Sequence, residues 1–151
     1  MRILDLSAGY RAIWFDPNCK DAVFVDSRES VRPHVVADSR LLPFGDRWCD
    51  LVVFDPPHVN GGRKSNISRD YGWHTTEEIR DIVCKTAREA HRVTKENALM
   101  AFKWNDHDQR LGPVVSSMFP WWLPLFGHKV AQRTLRVSST HWVMLRRGKM
   151  Q

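Results

Sequence analysis

The chain has 151 residues, 17.6 kDa, with 42% hydrophobic and 26% charged residues, which fits one globular domain with its own core and excludes a disordered chain or a disulfide-stapled scaffold. No run of about 18 apolar residues is present, so no membrane-spanning helix is expected, and the short apolar start at Ile3-Leu4 does not read as a signal peptide. The net charge of +6 is uneven: residues 1–60 carry seven Lys/Arg against nine Asp/Glu, and residues 61–151 carry sixteen against eight. From Gln109 onward there are seven basic residues and no acid. The first half therefore suits a small cationic ligand, and the second a polyanion such as nucleic acid.

The predicted elements follow in chain order. Arg2-Ile3-Leu4-Asp5-Leu6, Asp21 to Asp26, His34 to Asp38 and Asp50 to Asp55 read as four buried strands, because their apolar runs are near-continuous rather than alternating. Only seven residues, 27–33, separate the second strand from the third, too few for a full crossover helix. Gly61 to Asn66 reads as a polar loop. Thr75-Thr76-Glu77-Glu78 then supplies a helix N-cap with acids in the first turn, and Ile79, Ile82, Val83, Ala87, Ala90 and Val93 recur at helical spacing up to residues 94–97. Ala98 to Trp104 reads as a fifth strand and residues 106–117 as a short helix interrupted at Gly112-Pro113. Residues 121–130 and 140–145 read as a final antiparallel pair. The fold class is α/β: a single minimal Rossmann-like sheet, mostly parallel, with an antiparallel C-terminal pair and some crossover helices shortened or missing. One domain, residues 1–151, is expected.

Open α/β sheets bind ligands at the carboxyl ends of their strands, and four acids stand there. Asp5-Leu6-Ser7-Ala8-Gly9 closes the first strand with small residues that allow close backbone approach, or is simply a tight turn. Asp26 lies 21 residues after Asp5, the spacing of an acid that holds ribose hydroxyls; a solvated strand end or a helix cap is the plain alternative. Asp38, followed by Ser39, either accepts from an exocyclic adenine amine or caps the loop before Leu41-Leu42. Asp55-Pro56-Pro57-His58 is the most specific signal. Two prolines after a buried acid fix the backbone, so that the Asp55 carboxylate and the Pro56 carbonyl can be aimed at one planar amine while His58 offers a stacking face. Cys19, Cys49 and Cys84 match no zinc spacing and read as reduced thiols. His128 and His141 lack a neighbouring acid or cysteine at metal spacing, so no metal is expected.

With those residues in place, the chain resembles class I S-adenosylmethionine (SAM)-dependent methyltransferases. Asp5 to Gly9 stand at the position of motif I and Asp55 to His58 at that of the amino-methyltransferase (D/N/S)PP(aromatic) motif. It is most similar to small phage and prophage proteins labelled as methyltransferases or DNA methyltransferases. The shared pieces include Trp14-Phe15-Asp16, Phe24-Val25-Asp26-x-Arg28, Val36-Ala37-Asp38, Tyr71-Gly72, Phe102-Lys103-Trp104, Pro124 to Gly127 and Thr140-His141-Trp142, across nearly the whole chain. The usual G-x-G-x-G is reduced here to Ser7-Ala8-Gly9 and the following helix reads as short, with Trp14-Phe15-Asp16 expected to fill the gap. The resemblance implies SAM as cofactor, held by Asp5, Leu6, Ser7, Ala8, Gly9, Trp14, Asp26, Asp38 and Ser39. It implies catalysis at Asp55, Pro56, Pro57 and His58, with methyl transfer to an exocyclic amine of a nucleic-acid base, DNA adenine N6 or cytosine N4 first. RNA methylation and a SAM-binding or SAM-consuming phage protein are the alternatives.

A duplex target would have to be flipped out of its stack. Arg63, Lys64, Arg69, Lys103, Arg133 and Arg136 are the expected nucleic-acid contacts, with Arg146 and Arg147 extending the footprint. No separate target-recognition domain fits the length. The apolar run at residues 121–126 is compatible with a homodimer, Trp104 is expected to border the target pocket, and a cytoplasmic location with neither membrane nor metal partner is expected.

Overall fold

The computed structural model describes residues 1–58, 74–127 and 139–149. Among these residues one sheet has seven strands: β1 (Ile3–Asp5), β2 (Ala22–Asp26), β3 (Val35–Val36), β4 (Cys49–Phe54), β5 (Thr94–Asn105), β6 (Trp122–Gly127) and β7 (Thr140–Arg147). Their order is β3-β2-β1-β4-β5-β7-β6. β1 to β5 pair in parallel, and β7 runs antiparallel between β5 and β6. The strand order reverses between β1 and β4, so a crevice opens outside their carboxyl ends. The helices among the described residues are α1 (Thr76–Val93) and α2 (Leu111–Ser117), and a single 3-10 turn (Glu29–Val31) serves as the crossover between β2 and β3.

The two faces of the sheet are covered differently. On one face Leu4, Val25, Val52, Phe54, Met100, Phe102, Trp104 and Leu145 pack in one core with Ile79, Val83, Ala87, Ala90 and Val93 of α1. The helix starts on a reciprocal capping box: Glu78 N donates to Thr75 Oγ1 at 3.2 Å and Thr75 N to Glu78 Oε2 at 2.7 Å. Two tryptophans fit inside this core because their indole N–H groups are satisfied, Trp104 on Gln109 O and Trp122 on Ala87 O, both at 2.8 Å. On the other face Ile3, Ala22, Phe24 and Val53 are covered by Ile13, Trp14 and Cys19. Trp14 stands edge-on to Phe24 at 5.1 Å, so a non-helical segment does the covering work of a crossover helix.

Several boundaries differ from the sequence reading. β3 shrinks to two residues because only two rungs pair with β2. β5 begins directly after α1, and the expected turn appears as an irregularity in its register with β4, around Asn97 at φ 63°. The second helix starts only at Leu111, where Gly112-Pro113 occupy the first turn, a place where proline's missing N–H costs nothing. Residues 128–130, expected to end the sixth strand, lie outside the described residues. The cysteines are free, and burial pushes the Cys49 thiol up to about 12. No helix among the described residues is long and apolar enough to cross a membrane.

Candidate active site

Asp5, Asp26, Asp38 and Asp55 all stand at or just past strand ends, and three of them close on their own backbone. Asp5 Oδ1 accepts from Ser7 N at 3.2 Å, Asp26 Oδ1 from Arg28 N at 2.9 Å and Asp38 Oδ1 from Arg40 N at 2.9 Å. Each is a local turn in which the carboxylate takes the amide two residues on. At Asp55 the residue two positions on is Pro57, which has no N–H to give. Asp55 Oδ1 is accordingly buried without a hydrogen-bond partner among the described residues. A buried orphan acceptor costs about 1–3 kcal/mol, so each one in a folded protein calls for an explanation, whether a ligand, a catalytic role or an ordered water; His141 Nδ1 is the other such atom among the described residues.

The rest of the motif is held firmly. Asp55 N donates to Ser7 Oγ at 2.9 Å, which ties the loop after β1 to the end of β4. Lys103 Nζ donates to Asp55 Oδ2 at 2.6 Å, with the two side chains 22% and 18% exposed. Phe54 and Phe102 are register partners, so the positions following them bring Asp55 and Lys103 side by side. His58 Nδ1 lies 3.0 Å from Pro56 O, to which it donates when it carries the proton, and the ring stands edge-on to Trp104 at 6.0 Å. His58 and Lys103 thus occupy one acceptor each, and Asp55 Oδ1 is left for something else.

These groups open onto a cavity of about 470 Å³, within the roughly 300–1,000 Å³ of small-molecule sites. The cavity brings together Leu6, Ser7, Ala8, Gly9, Asp26, Asp38, Ser39 and Asp55 to His58, out of the residues singled out by sequence, and also Lys103, expected as a nucleic-acid contact. Gly9 adopts φ +50°, a conformation glycine enters freely, and its N–H donates to Asp26 Oδ2 at 2.9 Å. Ser39 Oγ is fixed by Thr86 Oγ1 at 2.8 Å.

Asp5 and Trp14 do not line this cavity. Trp14 Nε1 donates to Asp5 Oδ2 at 2.7 Å, and the fully buried acid anchors the covering segment from below. Burial pushes the Asp5 pKa up to about 6, against hydrogen bonds from Trp14 and Ser7 and with help from the charges of Asp55 and Asp26. Trp104 is fully buried and backs His58 rather than bordering the pocket, because β5 turns it toward α1. Arg63, Lys64, Arg69, Arg133, Arg136 and His128 lie outside the described residues. His141 has gained an acidic partner that spacing did not reveal: its Nε2 lies 3.2 Å from Asp106 Oδ2, both side chains buried. Among the described residues no three potential metal ligands converge.

Tyr10, Ile13, Arg40 and His74, which the sequence did not single out, line the cavity, as do Arg28, noted only as part of a shared piece, and Ile82, expected only as a core residue. The two arginines left a readable signal, since each stands two residues after a predicted strand-end acid. Arg28 Nε and Nη2 sit on Asp26 at 3.0 and 3.2 Å. Burial alone would raise the Asp26 pKa; the Arg28 guanidinium and the amides of Arg28 and Gly9 outweigh it and hold the carboxyl below its usual range. Arg40 does the same for Asp38, at 2.6 Å from its Nη2 to Oδ2.

No protein-family model and no curated protein matches the sequence. Solved structures do. The PH0226 protein from Pyrococcus horikoshii OT3 superposes with a TM-score of 0.68 at 14% identity, over 98% of this chain and 82% of that one. N-methyltransferase NodS from Bradyrhizobium japonicum WM9, solved with S-adenosyl-L-homocysteine, gives 0.63 at 10% identity, over 98% and 78%. TrmN from Thermus thermophilus gives 0.64 at 18% identity over 97% of this chain, which spans only 44% of the TrmN chain. At these identities the likeness is one of fold: the seven-stranded, Rossmann-like sheet of this chain is the architecture that methyltransferases of this kind use.

Proposed function

We propose that the protein is a SAM-dependent N-methyltransferase that modifies an exocyclic amine of a nucleic-acid base, DNA adenine N6 or cytosine N4 first. The observation that carries the reading is Asp55 Oδ1: a buried, unpartnered acceptor, freed of its local turn by Pro57, at the mouth of a strand-end cavity.

The cavity suits the cofactor in volume and in its small-residue approach at Ser7, Ala8 and Gly9. Asp26, Asp38 and Ser39 would hold the nucleoside part, with Arg28 yielding hydrogen-bond capacity on Asp26 to the ribose hydroxyls. Bound SAM would supply an electrophilic methyl group on a cationic sulfur, a charge that the acids of this edge favour. The protein's part is placement. An exocyclic base amine is conjugated and a poor nucleophile. A hydrogen bond from that amine to Asp55 Oδ1 would localise its lone pair and hold it in line with the methyl group, and positioning of this kind carries much of the acceleration. The amine proton would leave through the same oxygen. His58, braced by Pro56 O and Trp104, would stack on the base.

The test is transfer of labelled methyl from SAM to a panel of DNA and RNA substrates. Label in nucleic acid that disappears in Asp55→Ala, with calorimetric SAM binding retained, is the expected result. SAM binding without transfer to any nucleic acid, in the wild type, would refute the substrate assignment.

A further inference from the structure

Among the described residues, the part of the sheet without a covering segment is the face away from α1, over β5, β7 and β6. The antiparallel register sets Lys103 opposite Trp142, Ala101 opposite Met144 and Leu99 opposite Arg146, with Phe126 opposite Met144 on the outer strand. Directly paired residues share a face, so these side chains form one surface. It contrasts with the same face over β1 and β2, which Ile13 and Trp14 cover. Phe126 is 69% exposed and Trp142 39%. The ladder positions on this surface carry no acid, and Arg146 adds an exposed positive charge. The surface is continuous with the active site, because Lys103, the register neighbour of Trp142, is the residue whose ammonium rests on Asp55.

We infer that this face is a docking platform for single-stranded DNA, along which the strand runs to deliver a base to Asp55. This rests on the reading above and adds the form of the substrate and where it lies. Exposed aromatic rings on a sheet, with positive charge between them, bind single strands by base stacking, whereas the bases of a duplex are already stacked on each other. Ala101, Met144 and Phe126 offer no partner to a ribose 2′-hydroxyl, so deoxyribose is the sugar that packs there without loss. A single strand also removes the need for base flipping.

The experiment uses the full chain with a fluorescent 12-nucleotide single-stranded DNA of mixed sequence, the same sequence as duplex, and its RNA counterpart. Binding is measured by anisotropy, and methyl transfer to the DNA strand in parallel. Trp142→Ala and Phe126→Ala are each expected to weaken single-strand binding about 10-fold, the order found for loss of one stacked base, with calorimetric SAM binding unchanged; Trp142→Tyr should restore most of the Trp142 loss. Arg146→Gln should lower the slope of log affinity against log salt by about 1. Duplex or RNA binding tighter than the single DNA strand would overturn the proposal. So would full-strength binding in both aromatic variants, or a wild-type dimer in sedimentation whose dissociation by Phe126→Ala shows this face to be a self-interface. Transfer to the DNA strand that is indifferent to all three substitutions would refute the platform while leaving the N-methyltransferase reading standing. Absence of transfer to any nucleic acid would strike the reading itself.

Discussion

Asp26 and Asp55 stand at the carboxyl ends of β2 and β4, one on each side of β1, and their chemistry differs because of the residue two positions on. After Asp26 comes Arg28, whose backbone amide and guanidinium both bind the carboxylate, with Gly9 N supplying a further donor. Two positions after Asp55 comes Pro57, which supplies no amide; the hydrogen-bonded ion-pair partner arrives from β5, 48 residues away, and His58 Nδ1 stands 3.8 Å from Oδ1, beyond hydrogen-bond reach. The first arrangement neutralises an acid on its own loop and shapes a turn. The second leaves an oxygen unsatisfied at a cost in stability, which on the proposed function keeps an acceptor ready for substrate. A strand-end acid is therefore not by itself a sign of chemistry; what the following residue can donate decides it.

The strongest way to break this comparison is Pro57→Ala, which gives position 57 an N–H. The turn seen at Asp5, Asp26 and Asp38 is then expected to close on Asp55 Oδ1. On the proposed function methyl transfer should fall by roughly 10³-fold, about 4 kcal/mol in the barrier, with SAM affinity maintained and thermal stability unchanged or raised as the orphan oxygen gains a donor. Activity near that of the wild type would show that proline matters only for rigidity.

The next effect concerns Asp5, the acid of this edge that is wholly enclosed. Its pKa is raised from 3.8 to about 6 in the folded state. The folded protein therefore binds the proton more tightly than the unfolded chain. The associated stability is fully present below about pH 4 and is lost as pH rises through 6, by about 3 kcal/mol in all. Asp5→Asn keeps an acceptor for Trp14 Nε1 and should flatten the slope of urea-derived stability between pH 4 and 7. Parallel pH profiles for the two proteins would contradict the assignment.

Lys103 sharpens the comparison from the other side. Lys103→Gln should destabilise the fold by about 2 kcal/mol, because it strips the hydrogen-bonded ammonium from a partly buried carboxylate. Combining it with Asp55→Asn should recover about 1 kcal/mol in a double-mutant cycle by urea unfolding. Additive losses would mean the pair is not coupled. The smallest effect is expected at Arg28. Arg28→Met removes the internal occupant of Asp26, so SAM should bind about 3- to 10-fold tighter by calorimetry, the gain from no longer displacing a competitor. Weaker binding would assign the guanidinium itself to the cofactor.

Much of this was legible in the chain. The parallel strands at β1, β2 and β4 could be read because strands buried on both faces have no solvent side to alternate with. The capped helix over residues 75–93 announced itself through Thr75, Glu78 and a regular apolar stripe, since both signals are local. The Asp-Pro-Pro-His segment was visible as a rigid acid. Less visible were Trp104, whose position after Lys103 suggested a pocket wall although alternation along β5 turns it into the core, and Asp5 with Trp14, which were expected at the ligand and instead support the floor. Arg28 and Arg40 were in plain sight at their two-residue spacing from an acid.

By itself, then, the sequence determined the local facts: which runs are strands, where the long helix begins, and that position 57 has no amide to give. The tertiary structure alone decided the partnerships. Lys103 meets Asp55 because β4 and β5 pair in register, Trp14 reaches Asp5 because a helix-free segment folds over β1 and β2, and Trp142 joins Phe126 because β7 runs back between β5 and β6. Backbone propensity and proline chemistry act over a few residues and can be read along the chain, whereas ion pairs and shared surfaces depend on register between segments tens of residues apart, which only burial of the common core fixes.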